Sequence, residues 1–189
     1  MKNKIQKRYN RIARVYDILE SPMEMKFSKW RKELLKDAEG QTLEVGIGTG
    51  KNIPYYPADV KLTGIDFSER MIEIAGKKVK GNQNVQLKVM NAEKLDFEDD
   101  AFDTVVTSCV YCSVPDPVQG LKEMKRVCKP NGKILMLEHV RSNHKVLGKV
   151  MDILNPIPLY IYGANINRRT YENLLKAGFE PDNIKERYL

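Results

Sequence analysis

Between Gln41 and Glu138, five short apolar runs alternate with longer segments of helical spacing, and that alternation leaves the chain few ways to fold. Strands separated by helices pair in parallel, because each crossover carries the chain back to the end of the sheet it started from. The expected strands are Thr42 to Val45, Val60 to Ile65, Val85 to Met90, Phe102 to Thr107 and Lys133 to Glu138, with helices at 68–80, 117–128 and 168–177. Asn131-Gly132 is expected to turn the chain into the fifth strand, and Gly178 to close the last helix. The fold class that follows is α/β, with helices on both faces of a parallel sheet. With 189 residues, 42% of them apolar, one domain is expected.

The first strand runs into LEVGIGTG, Leu43 to Gly50. Gly46, Gly48 and Gly50 allow a tight turn and bring backbone N–H groups close to a ligand. A dinucleotide fingerprint has the spacing G-x-G-x-x-G and would place its third glycine at position 51, where this chain has lysine. Asp66 ends the second strand in GIDFSERM, about 20 residues after the loop, where a carboxylate accepts hydrogen bonds from ribose hydroxyls. Loop, following acid and a third strand ending in Asn91-Ala92-Glu93 together describe a nucleoside site.

Ahead of this core, Ile5, Tyr9, Ile12, Tyr16 and Leu19 form an apolar stripe that predicts a helix over 2–19. Ser21 as N-cap and Pro22 at the first helical position predict a second helix from 22 to about 37. Tyr9 and Tyr16 are expected to dock the first helix as a lid over the site. Val146 to Tyr162, broken by Pro156 and Pro158, reads as a substrate cap, and the acceptor pocket is expected to be mainly apolar and lined by this insertion and the N-terminal helix. Arg168 and Arg169 open the last helix, either solvated or holding an anionic substrate group. Cys109 and Cys112 form a C-x-x-C, but Cys109 ends a strand instead of starting a helix, and Cys128 sits on another element. Ordinary packing is expected for all three thiols, with no metal site.

Charge is concentrated at the ends. Residues 1–38 hold eleven Lys/Arg against five Asp/Glu, residues 39–140 thirteen against fifteen, and residues 141–189 eight against five. The six basic and two acidic side chains of residues 1–20 predict contact with anionic membrane worth roughly 4 kcal/mol, which is weak and reversible. No run reaches the roughly 18 apolar residues of a membrane span, and the N-terminus lacks the apolar core of a secretory signal. The expected compartment is the cytoplasm, with a peripheral place at the membrane.

The segments YNRIARVYD, LEVGIGTG, GIDFSERM, MNAEKL, FDTVVTSCVYCSV, LKEMKRVCKPNGKILMLEHV and NRRTYENLLKAGF cover nearly the whole chain. In them the sequence resembles the class I S-adenosylmethionine-dependent methyltransferases, within the ubiquinone/menaquinone, phospholipid and thiol methyltransferase branch. The resemblance implies a Rossmann-like sheet and S-adenosylmethionine as cofactor. It implies that Gly46, Gly48 and Gly50 back the methionine part, with Glu44 ordering the loop. It also implies that Asp66 holds the ribose, Phe67 and Ala92 flank the adenine, Asn91 bonds its edge, and Ser108 lies near the methionine moiety. The family pattern continues to a sixth strand and an antiparallel seventh, whereas ten residues follow Phe179 here, so the last strand is expected to be missing or shortened. The parts expected are a helical cap (1–38), a cofactor-binding core (39–140) and a substrate cap with the C-terminal helix (141–189).

Attack on a sulfonium methyl is mostly a matter of positioning, and where a general base is needed His139, just past the fifth strand, is the candidate. The expected acceptor is small or lipophilic, a phospholipid amine or quinol before a small thiol. A nicotinamide-dependent oxidoreductase is the competing class, disfavoured by Lys51. The basic ends also permit an RNA-interacting module, but SCVYCSV stands where nucleic-acid amino-methyltransferases carry an N-P-P-Y-like tetrad, so nucleic acid is not the expected partner.

Overall fold

The computed structural model describes residues 2–161 and 163–186; within the first helix it describes the side chains of 5–13 and 27–35. The strands β1 (Gln41–Val45), β2 (Lys61–Asp66), β3 (Val85–Val89), β4 (Phe102–Ser108) and β5 (Cys128–Leu137) form one sheet in the order β3-β2-β1-β4-β5. Every neighbouring pair is parallel, with Leu43 beside Thr63 on one side and Val105 on the other. A strand covered on both faces must be apolar almost throughout, and β1 and β4 are the most completely buried strands. Leu43, Val45, Ile65 and Val105 meet Leu121, Met124 and Val127 in the larger core, while Ala38, Ile47, Val60 and Leu62 form a smaller one. Each fully buried side chain of this size contributes roughly 1.5–3 kcal/mol, so the sheet is most firmly held at its centre.

Helices α2 (Glu69–Lys78) and α3 (Pro117–Val127) begin where local chemistry predicts. Ser68 caps α2 by accepting from Met71 N–H, and Asp116 caps α3 by accepting from Gln119 N–H with Pro117 next in line. The last helix, α6 (Thr170–Lys176), is shorter than expected and is followed by Gly178 at φ +86°. The insertion folds as α4 (Lys145–Leu154) and α5 (Pro156–Ile161).

Two expectations are corrected. The chain enters as one helix, α1 (Lys2–Leu35), which runs straight through Ser21 and Pro22 instead of breaking there. A proline inside a helix removes one backbone hydrogen bond and locally favours a break. Here both ends of α1 are fastened, the first turns to the start of α2 and the last, through the buried Arg31 and Leu35, to the sheet, and tertiary anchoring overrides the local signal. Likewise Asn131-Gly132 lies within β5: the register jumps from Phe102↔Cys128 to Thr104↔Lys133, and the extra residues loop out around Pro130, which has no N–H to give the ladder. Among the described residues no strand follows β5, and no helix is long and apolar enough to cross a membrane.

The strand order fixes where a ligand can sit. From β1 the chain proceeds outward through β2 and β3, then crosses to β4 on the other side, so a crevice opens above the carboxyl ends of β1 and β4.

Candidate functional site

At that crevice Gly46 and Ile47 both donate N–H to Ile65 O at 2.8 Å, which peels the chain off the sheet. Gly46, Gly48 and Gly50 all have positive φ, +75°, +55° and +79°. A Cβ at Gly46 would lie 2.3 Å from Val110 Cγ2, whereas one at Gly48 would meet nothing within 4 Å. The loop therefore needs glycine at 46 to approach Val110 in the loop after β4 and presents bare backbone to open space at 48.

Asp66, 8% exposed, accepts from Gly48 N–H (3.0 Å, Oδ2) and Ser68 N–H (2.8 Å, Oδ1), tying the glycine loop to the start of α2. Burial pushes its carboxyl up to about 6, partly countered by these backbone donors. Glu44, 1% exposed, faces away from the crevice and takes the Asn52 amide at 2.7 Å and the Tyr56 hydroxyl at 2.9 Å. Burial pushes it up to about 7. Its contacts order the loop from behind.

The far wall comes from α1. Gln6 Nε2 donates to Phe67 O at 2.7 Å, Tyr9 meets the Phe67 ring edge-on at 5.6 Å between centroids, and the Ser68 hydroxyl donates to Asn10 Oδ1 at 2.5 Å. Three side chains spaced for one helix face thus grip the residues flanking Asp66. On the other side of the same turns, Arg8 donates to Leu159 O at 2.7 Å and lies over the Tyr160 ring.

The loop after β4 closes the crevice. Cys109 holds a left-handed φ of +56° and donates its N–H to Leu137 O. Glu138, at the end of β5, accepts from the Thr107 hydroxyl and from the N–H groups of Val110 and Tyr111. Burial pushes Glu138 up to about 7 and the Cys112 thiol up to about 12, so Cys112 stays a thiol donating to Cys109 O.

The result is a cavity of about 360 Å³, mainly apolar, with Asp66 as the one carboxylate among its described lining residues. Of the residues singled out from sequence, Gly46, Gly48, Asp66, Phe67, Asn91, Ala92, Ser108 and Tyr9 line it. Glu44 and Gly50 stand behind the loop, Gly50 against Ile53 and Ala75. Arg168 lies outside the lining and donates to Val114 O at 2.6 Å, beneath the post-β4 loop. His139 is exposed and outside the lining, and the Tyr16 side chain lies outside the described residues. No described residue of the 146–162 insertion lines the cavity, so the expected lining by that segment is not found. Glu138, Gln6 and Asn10 were missed in the sequence; for Glu138 the signal was there, a lone acid closing the apolar run ILMLE.

A methyltransferase domain model matches residues 43–136. The chain is 32% identical over 193 residues to a demethylmenaquinone methyltransferase of Staphylococcus haemolyticus, a match covering 96% of this chain and 81% of that protein. It is 44% identical over 114 residues to a phosphatidylethanolamine N-methyltransferase of Cereibacter sphaeroides, covering 59% of this chain and 56% of that one, so it spans little more than half of that relative's length. A solved SAM-dependent methyltransferase from Thermotoga maritima, described as a possible histamine N-methyltransferase, superposes with a TM-score of 0.69 at 26% identity, over 92% of this chain and 80% of that one. A parallel sheet of this order, a glycine loop and acid at its switch point, and relatives of this extent agree: the chain belongs to the class I S-adenosylmethionine-dependent methyltransferases, in the branch that contains the ubiquinone/menaquinone and phosphatidylethanolamine methyltransferases.

Proposed function

We propose that this protein transfers a methyl group from S-adenosylmethionine to a lipophilic acceptor, a phospholipid amine or a quinol-like ring. The observation that carries the reading is the pairing of one buried carboxylate, Asp66, with bare glycine backbone at position 48 in an otherwise apolar cavity. That cradle fits the cofactor: a Cβ at Gly48 would project into the open space, and Asp66 is held by backbone N–H groups so that its remaining lone pairs can take hydroxyls. Asp66 would hold the ribose, Phe67 and Ala92 would flank the adenine with Asn91 at its edge, and the Gly46–Gly48 backbone and Ser108 would border the methionine part. When bound, S-adenosylmethionine supplies an electrophilic sulfonium methyl.

The chain's own part is to orient the acceptor and exclude water. Residues 1–38 act as lid and 39–140 as cofactor core, while 141–189 give the cavity no described lining residue and support the lid from outside through the Arg8–Leu159 bond. With His139 outside the cavity, a neutral amine that attacks through its own lone pair suits the lining better than an acceptor needing a base. An apolar wall favours a lipid over a small thiol, and the names of the two relatives, one for a phospholipid and one for a menaquinone precursor, support the same reading.

The test is calorimetry with S-adenosylhomocysteine and NAD, followed by labelled methyl transfer to phosphatidylethanolamine vesicles, a demethylated naphthoquinol and a small thiol. Binding of S-adenosylhomocysteine but not NAD, with label in a lipid acceptor, is the expected outcome. Tighter NAD binding would overturn the class, and label confined to the thiol would overturn the lipid acceptor.

A further inference from the structure

The α4–α5 segment, nearly continuous through the helical Asn155, is folded inside out. Along α4 and into the next turn, the side chains facing the body are Gly148, Asp152 and Asn155, small or polar, with Met151 as the one large apolar residue among them. A Cβ at Gly148 would lie 2.5 Å from Arg141, Met151 accepts from Ser142 N–H, Asp152 is bonded by Arg141 and Asn167, and Asn155 bonds Asn165 and Ile166. The opposite stripe, Val146, Val150, Ile153 and Ile157, points to solvent, with Val146 66% and Ile153 75% exposed. Tyr160 on α5 is 79% exposed. Nine of the thirteen exposed large hydrophobic residues among the described ones fall between 146 and 161, although apolar surface of that density is ordinarily buried.

The charges around it identify the occupant. Lys145 and Lys149 flank the stripe, and Arg8 reaches α5 from α1. Asp152 is the only acid from 143 to 161, and its charge is taken by Arg141. An apolar stripe with a cationic edge fits the headgroup–acyl boundary of an anionic bilayer. A second copy of a chain with net charge +7 would set lysine rims against each other. The patch also adjoins the cavity: the turn of α1 that holds α5 through Arg8 contributes Ile5, Gln6 and Tyr9 to the cavity wall.

We infer that the outward face of α4 and α5 is a docking surface for anionic phospholipid membrane, lying in the interface so that the cavity mouth opens toward the lipid. The choice of a membrane as occupant rests on the lipid-acceptor reading above, but its test needs no acceptor. The full chain is floated with vesicles of phosphatidylcholine alone or mixed with phosphatidylglycerol. Flotation is expected with the mixed vesicles, and Ile153→Glu or Val146→Glu should lower the partition coefficient about tenfold or more by placing a charge at the boundary. Lys145→Gln combined with Lys149→Gln should weaken binding to mixed vesicles only. Unchanged affinity for S-adenosylhomocysteine shows that these variants are folded. Independently, Ile153→Trp should show emission shifted to the blue on mixed vesicles relative to wild type.

Flotation of Ile153→Glu equal to wild type would overturn the surface. So would absence of flotation alongside self-association that Ile153→Glu abolishes, which would assign the face to a second copy. Failure of the wild type to bind S-adenosylhomocysteine would strike the proposed reaction and leave the vesicle result standing.

Discussion

Gly46 and Gly48 share a left-handed backbone but not a neighbourhood, and the difference is measurable. A left-handed alanine costs roughly 1–2 kcal/mol at either position. At 46 the added Cβ would also meet Val110 at 2.3 Å, while at 48 it would enter open space. Gly46→Ala is therefore expected to lower unfolding free energy more than Gly48→Ala in urea titrations, and Gly48→Ala to act mainly on cofactor affinity; equal destabilisation would contradict this. Asp66→Ala should weaken cofactor binding by about 1.5–3 kcal/mol, the cost of unpairing a charged acceptor. Because burial raises Asp66 to about 6, the ionised form that accepts hydroxyls is lost as pH falls through that value. S-adenosylhomocysteine affinity should drop below about pH 6 in wild type and stay flat in Asp66→Asn by calorimetry. Asp66 and Asn91 were legible in the sequence as lining residues because they sit at or just past the carboxyl ends of strands that apolar patterning locates, whereas Ser108 was singled out only through the family resemblance. Glu138 was passed over for its neighbour His139, because patterning finds a strand's end but not which end residue turns under the next loop.

At the scale of elements, β1 to β4 were legible to within one residue at each end, the central β1 and β4 because burial on both faces forces an apolar run, while β5 begins five residues earlier than expected. The continuity of α1 was not, because Pro22 carries a local signal to stop and the opposing forces come from residues distant in sequence: Asn10 reaches Ser68, 58 positions on. The insertion was legible as apolar but not as inverted, since hydrophobicity alone does not say which face meets the body. The first turns of α1 are bound to the protein by a few hydrogen bonds, two ring contacts and the buried Ile5 and Ala13, fewer ties than hold the central strands, so they should open more often than the sheet. Amide exchange of residues 5–13 is expected to slow when S-adenosylhomocysteine is added, while exchange in β1 and β4 changes little. Unchanged exchange in 5–13 would remove α1 from the role of lid.

For the whole molecule, three carboxyls, Glu44, Asp66 and Glu138, share one direction: burial raises each above its ordinary range. The folded protein then holds protons that the unfolded chain has released. The stability these groups contribute is present in full below the ordinary carboxyl range and is lost as pH rises through about 6 to 7. Melting temperature is expected to be higher near pH 5 than near pH 8, and Glu44→Gln, which keeps an acceptor for Asn52 and Tyr56, should narrow that gap. A wider gap in the variant would assign the pH dependence elsewhere.

The opening turns of α1 are held on one side by Phe67 and Ser68 and on the other by α5, through Arg8. A rod pinned on both sides is a lever: whatever shifts α5 also shifts the wall that Gln6 and Tyr9 give to the cavity. Occupancy of the nucleoside end and adhesion to a bilayer then belong to a single thermodynamic cycle, and a closed cycle has no preferred direction. By whatever factor vesicles alter the dissociation constant for S-adenosylhomocysteine, S-adenosylhomocysteine must alter the vesicle partition coefficient by the same factor. Titrating each in the presence of the other measures that factor twice, and a value of one from both would mean that the lever does not transmit.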